Sequence, residues 1–274
     1  MFSVISEMLS YPFLVRALIV GFLVSLCASL LGVSLVLKQY SMIGDGLSHV
    51  SFGALSVAMA LGVAPLKLSL PVVIIAAIVL LRMGNGKLKS DAAIAVMSSS
   101  SLGIGVIVTS LTTGMTVDVC GYMFGSLLAM SKEDVVLSII LSIIVLITFI
   151  ICYNRLFAVT FDESFAKAAG VNVSGYNMLI AILTAVTIVL GMRMMGAMLI
   201  SSLIIFPSLT SMRLFGSFKA VVISSAVVSL VCFVIGIICS YQYATPTGAS
   251  IMAVNLVVFI TAAAVDKVKR RGRK

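Results

Sequence analysis

Charge is what this chain has least of. Only 10% of its 274 residues are Asp, Glu, Lys or Arg, against about 25% in an ordinary soluble domain. With 61% apolar residues and a mean hydropathy of +1.26, the chain would expose large apolar patches in water, which excludes a water-soluble fold. Histidine occurs once, as His49. A single imidazole excludes His-Glu-x-x-His and any second histidine acting as a base. Gly-x-Ser-x-Gly is missing too, so no catalytic constellation is present and the chain is not expected to be an enzyme. The five cysteines (Cys27, Cys120, Cys152, Cys232, Cys239) are odd in number and include no Cys-x-x-Cys, which excludes a disulfide framework. Four of them fall within or at the ends of apolar runs, where a free cysteine behaves as a small hydrophobe. GNGKLKS at 84–90 lacks the spacing of a phosphate loop, so a pumped process would draw its energy from another polypeptide. The N-terminus has neither a basic leader nor an A-x-A-like cleavage site, and its first apolar run is long enough to span. No cleaved signal peptide is expected.

What is there is a single membrane domain over 1–274, all-α and polytopic. The net charge of +9 could suggest nucleic acid, but its distribution argues against that partner. Lys267, Lys269, Arg270, Arg271, Arg273 and Lys274 crowd the last eight positions, and most other basic residues punctuate apolar runs. Basic residues so placed hold segments on the cytoplasmic face of a membrane, in contact with lipid. The tail 266–274 therefore reads as a cytoplasmic anchor.

A helix needs about 20 apolar residues to cross a bilayer. Uncharged runs place spans at 17–37, 46–66 (with only His49 ionisable), a third closed by Arg82 after a turn marked by Pro65 and Pro71, and a fourth within 92–117. Segment 119–131 is apolar but too short to cross. It contains Gly121-x-x-x-Gly125, a spacing for close helix approach, and is expected to be re-entrant, buried in protein or lining a water-filled path. A fifth span covers 135–153. The polar stretch 154–175, with Ala166–Ala169 favouring helix and Gly170 placed to end it, predicts a short amphipathic helix on the cytoplasmic surface. Spans at 176–192, at 194–212 (interrupted by Pro207), and two within 220–265 divided at Ser240–Gly248 complete the chain. The expectation is a bundle of about 8–9 transmembrane helices plus a re-entrant segment. Loops 82–91, 154–175 and 213–219 and the C-terminus lie inside and the N-terminus outside. No internal repeat is evident.

Ionisable residues within a membrane cost about 2.5–3.5 kcal/mol at the helix centre and so mark function. Asp45 and His49 stand four apart, on one face of a helix. Carboxylate plus imidazole suits zinc, manganese or ferrous iron. Ser48 and Ser51 keep the neighbourhood polar, and Gly44, Gly46 and Gly53 leave room for close packing. The structural alternative is that Asp45 caps the helix while His49 bonds a neighbouring backbone group. Two ligands do not complete a tetrahedral site. Water, another segment or a second copy of the same residues must supply the rest, and an incomplete site suits an ion that has to leave. Asp118 with Cys120 could form an outer ligand pair, although a solvated helix-start aspartate is the better reading. The methionines around Arg193 read as gap-filling. Pro207 frees a carbonyl that Ser/Thr or water must satisfy, so Pro207 and Ser208, like Ser48 and Asp118, are candidates for lining a path, with simple packing the equal alternative at Pro207.

These residues carry a family resemblance. MIGDGLSHVSFGALSVAMALG (42–62) resembles the early signature of permease subunits of bacterial zinc/manganese ATP-binding-cassette importers, Gly-Asp-x-(Leu/Ile)-(Ser/Ala)-His, with Gly44, Asp45, Leu47, Ser48 and His49 matching in register. VDVCGYMFGSLLAMSKED (117–134), GAMLISSLIIFPSLTSMRL (196–214) and ATPTGASI (244–251) agree in order and spacing, and TFDESFAKAAGV (160–171) resembles the family's coupling segment. The resemblance spans about residues 12–262. Ser126 stands where many members carry an acid, and FPSLTSMR where relatives often have a Pro-Ala-rich run. The resemblance implies a vitamin-B12-importer-like (type II) architecture in a bacterial plasma membrane. It implies a homodimer of permeases forming the path, two ATPase subunits on the cytoplasmic side and an extracytoplasmic metal-binding protein. No cofactor would be permanently bound. The transported ion would be zinc, or alternatively manganese or iron, contacted by Asp45 and His49. Within 156–175, Asp162, Glu163, Lys167 and Gly170 would couple to the ATPase.

Three rival readings differ in class. A gradient-driven metal transporter would want several intramembrane acids or histidines, and only one strong pair is present. A chelate permease would need a wide apolar cavity and no direct metal ligand. An intramembrane enzyme lacks a nucleophile–base pair.

Overall fold

The computed structural model describes residues 10–84, 90–112 and 132–271, and the described residues form helices and no strands. The helices are α1 (Pro12–Leu37), α2 (Ile43–Ala60), α3 (Pro65–Gly84), α4 (Ser90–Leu111), α5 (Lys132–Phe161), α6 (Glu163–Ala168), α7 (Val173–Met195), α8 (Ala197–Leu214), α9 (Phe218–Tyr243) and α10 (Thr247–Arg271). Seven are long and apolar enough to cross a membrane: α1, α3, α4, α5, α7, α9 and α10. α2 and α8, each 18 residues long, are not among these seven, so among the described residues the expectation of eight or nine spans is met only approximately. The segment read as re-entrant, 119–131, lies outside the described residues.

Local sequence explains the breaks. Pro65 starts α3, but Pro71 lies inside that helix. The expected turn at both prolines is therefore only at the first, and the second merely leaves the Lys67 carbonyl without its helical donor. Gly196, at φ 85°, ends α7 and begins α8. At the α9–α10 turn, Ala244 takes φ 51°, and the Ser240 hydroxyl donates to the Thr245 carbonyl at 2.6 Å. The polar patch thus satisfies itself.

The stretch 154–175 holds the expected short helix, together with the end of one long helix and the start of the next. Residues 154–161 continue α5, whose end is held by an aromatic cluster of Tyr153, Phe157 and Phe161 around Phe218 of α9. Asp162 then turns extended (φ −149°, ψ 101°), and the separate helix is the six-residue α6. Capping chemistry, rather than amphipathic period, set this boundary.

α1 is the central pillar, with 67% of its spanning window buried, and it packs on α5, α7, α8 and α9. Lipid tails supply no hydrophobic drive between helices, so small residues and hydroxyls must hold such contacts. A serine seam does this. Ser25 and Ser229 hydroxyls lie 2.7 Å apart, the Ser225 hydroxyl donates to the Ser29 carbonyl at 3.2 Å, and Ser208 meets Ser225 at 3.4 Å. At Gly32 the backbones nearly touch: a Cβ there would stand 2.1 Å from the Ile204 carbonyl oxygen of α8.

α2 is wrapped instead of lipid-facing. Thirteen of its 18 residues are buried, against α3, α4, α7 and α8. Its contact with α4 is close because Gly53 carries no side chain, where a Cβ would meet the Ser101 carbonyl at 2.6 Å.

The helices alternate in direction. The ends of α1, α3 and α5, the starts of α2, α7 and α9, and all of α6 therefore gather at one end of the bundle, where Tyr40, Leu81, Glu163 and Asn177 share a groove. Replacing Gly32 by Ala is expected to cost about 1–3 kcal/mol through overpacking, read as a lowered thermal midpoint in detergent. Gly103→Ala, at a glycine with open space around it, should leave the midpoint unchanged or raise it.

Candidate functional site

Asp45 falls in the first turn of α2 and His49 one turn later, and the helix brings Asp45 Oδ2 to 3.6 Å from His49 Nε2. This is long for a direct hydrogen bond. It matches two ligands on one ion, since bonds of about 2.1 Å from O and N to a shared centre span about that separation. Both side chains remain reachable, Asp45 at 45% and His49 at 24% exposure, while the helix carrying them is buried. Ser48 does not compete for an ion, because its buried hydroxyl donates to the Asp45 carbonyl at 2.7 Å. Among the described residues no third His, Cys, Asp or Glu joins the pair.

One residue near the pair was not anticipated. Ser201 of α8 is buried and faces the Asp45 carboxylate as a hydroxyl donor. A serine in an apolar run carries no sequence signal that separates it from the helix-packing serines. Ser208, by contrast, is fully buried. It donates to the Ile204 carbonyl at 2.9 Å and meets α1 and α9, one residue after Pro207 inside α8. Asp118 and Cys120 lie outside the described residues. Met192 and Met195 are buried in the core.

The second cluster surrounds α6. Asp162 caps it, its carboxylate accepting from the Phe165 amide at 2.9 Å. Gly170, at φ 80°, turns the chain beyond it, with the Gly170 amide donating to the Lys167 carbonyl at 3.1 Å. Glu163 and Lys167 line a groove of about 480 Å³ with Tyr40, Asn172 and Asn177. Lys38, from the end of α1, donates to Glu163 Oε1 at 2.6 Å and also to Asn177 Oδ1. The Asn177 amide donates to the same Glu163 oxygen at 3.1 Å. The structure thus draws the four residues expected to couple onto one short element and adds Lys38, Tyr40 and Asn177, which sequence spacing had left unassigned.

The Lys38 hydrogen bond holds the Glu163 carboxyl below its ordinary value of 4.5, opposed by partial burial and helped by Asn177. Burial first, and then the Glu163 charge, push the Tyr40 phenol up.

The fold is that of a multi-helix membrane protein with a carboxylate–imidazole pair on an enclosed helix. The chain matches the ABC 3 transport family over residues 10–266 and belongs to it. It is 30% identical to the high-affinity zinc uptake system membrane protein ZnuB of Haemophilus influenzae, over 91% of this chain and 96% of that one. It is 29% identical to the manganese import system permease protein ScaB of Streptococcus gordonii, over 91% and 90%. The solved structure of PsaBC from Streptococcus pneumoniae in complex with Fab superposes with a TM-score of 0.85 at 27% identity, covering 95% of this chain and 94% of that one.

Because the native carboxyl value of Glu163 is depressed, the tie to Lys38 is fully formed at neutral pH and is lost as pH falls through that depressed value. A spin label on the exposed Lys167 side of α6 should keep its mobility from pH 7 to 5.5 and gain it only below 4.5, the ordinary glutamate value.

Proposed function

We propose that this chain is the path-forming permease of an ATP-driven importer that carries a divalent transition metal ion across a bacterial plasma membrane. Zinc is the preferred ion, and manganese or iron the alternative. The observation that carries the reading is the Asp45–His49 pair: the chain's only histidine, 3.6 Å from a carboxylate, on a helix too polar to face lipid and therefore enclosed. Family membership supports the transport class, and relatives named for zinc and for manganese at nearly equal identity leave the ion to be read from experiment.

In this reading two copies form the path, and the second copy or water completes the coordination of the moving ion. Two ATPase subunits dock at α6, and an extracytoplasmic metal-binding protein delivers the ion. No metal is held permanently, and ATP is hydrolysed on the partner chains. Placing the α6 end of the bundle in the cytoplasm puts Arg82, Lys167, Arg213, Lys219 and the basic tail on that side, as the positive-inside rule asks. Asp45 then lies one turn from the cytoplasmic end of α2, so the pair acts late on the inward path. A ligand pair with an incomplete shell holds an ion long enough to select it and weakly enough to release it.

The test is growth of a strain lacking this permease under chelation, complemented with wild type, Asp45→Asn or His49→Ala, with single-metal add-back. Wild type should rescue with trace zinc. Each variant should lose uptake by at least about tenfold, the loss typical of weakening a metal site's outer shell, at normal membrane levels. Rescue by both variants would make the pair structural. Rescue of wild type by manganese alone would change the ion and leave the rest standing.

A further inference from the structure

Lys38 caps the C-terminus of α1, and a lysine at that position can serve the helix dipole from water. Here it does not sit in water. Its side chain is 5% exposed and is held between the Glu163 carboxylate at 2.6 Å and the Asn177 amide oxygen. A desolvated ammonium costs free energy unless fully partnered, so simple capping does not account for this placement. Its two partners come from different elements, α6 and the first turns of α7, and they bond each other.

The backbone around Lys38 is stiff. Gln39 stands at φ 61°, a region that non-glycine residues occupy at a cost. Three amides of the turn are tied back: the Gln39 amide donates to the Val36 carbonyl, the Tyr40 amide to Leu35 and the Ile43 amide to Tyr40. α2 follows at once, and Asp45 lies in its first turn. α6 itself has little hold on the bundle, since Ala166 is its one buried residue and it packs chiefly on α5 and α7.

We propose that Lys38 is a positioning residue that straps α6 and the start of α7 to the α1–α2 turn, so that displacement of α6 is delivered to the helix start carrying Asp45. The proposal rests on the reading of α6 as the ATPase-docking element. The strap is asymmetric. Its lysine end is buried in the turn, while its glutamate end is 53% exposed, on the element that a partner would move.

The experiment uses the complete complex of this chain with its ATPase and metal-binding protein, in liposomes, measuring zinc uptake and phosphate release together. Lys38→Met should still co-purify with the ATPase and hydrolyse ATP, while zinc moved per ATP falls by about tenfold, within the usual range for coupling between two sites. The double exchange Lys38→Glu with Glu163→Lys should restore most of that ratio. A transport ratio unchanged in Lys38→Met overturns the proposal. So does loss of the ATPase or of the folded permease in Lys38→Met that the double exchange fails to repair, since Lys38 would then be a structural residue alone. If the wild-type complex hydrolyses ATP but moves neither zinc, manganese nor ferrous iron, the importer reading itself fails, and the strap falls with it.

Discussion

A helix with an aspartate, a histidine and three serines among 18 residues has no stable place against hydrocarbon, where each charged group costs about 2.5–3.5 kcal/mol at mid-depth. α2 must therefore be enclosed by protein, and most of the architecture follows from that requirement. α3, α4, α7 and α8 wrap it. The wrapping is tight because glycine replaces side chains where backbones cross, as at Gly53 against Ser101. The more apolar helices are pushed outward. α4, α5 and α10, each with less than a third of its window buried, leave isoleucine- and valine-rich faces exposed.

The same enclosure sets the chemistry. A pair buried on all sides would bind an ion and keep it, and a pair in water would gain nothing from the membrane. Asp45 and His49 sit between these limits, on a buried helix with their side chains still accessible. The short turn from Lys38 to Met42 places them at the same end of the bundle as α6. The Asp45–His49 pair and the element that resembles an ATPase coupling segment thus lie at the same end of the fold, although Asp45 and Glu163 are far apart in sequence.

Much of this was legible from residue order. Charge spacing located nearly every span, and the Asp45–His49 pair announced itself because ionisable residues in apolar runs are rare. Boundaries that depend on tertiary contacts were not legible. α5 runs on to Phe161, where Phe218, distant in sequence, packs around its end, so the span expected to stop at 153 is longer than its uncharged run, while the short helix before Gly170 was legible. Lys38 looked like any basic residue flanking a span, and its meaning appears only when Glu163 and Asn177 converge on it. Ser208 stood out in sequence beside Pro207 and is a packing residue in the fold, whereas Ser201, unmarked in sequence, is the one that faces Asp45.

The serine seam between α1, α8 and α9 has a mechanical consequence. A hydroxyl both gives and accepts a hydrogen bond and rotates freely about one torsion. Ser208 already has the Ile204 carbonyl, the Ser29 carbonyl and the Ser225 hydroxyl within reach. A slide of α8 along α1 by a fraction of a turn would leave the Ser208 hydroxyl with a neighbouring acceptor to exchange for the one it loses. An interface of interlocked leucines would resist such a slip through steric clash. This one would yield to it, beside the helix that carries Asp45 and His49.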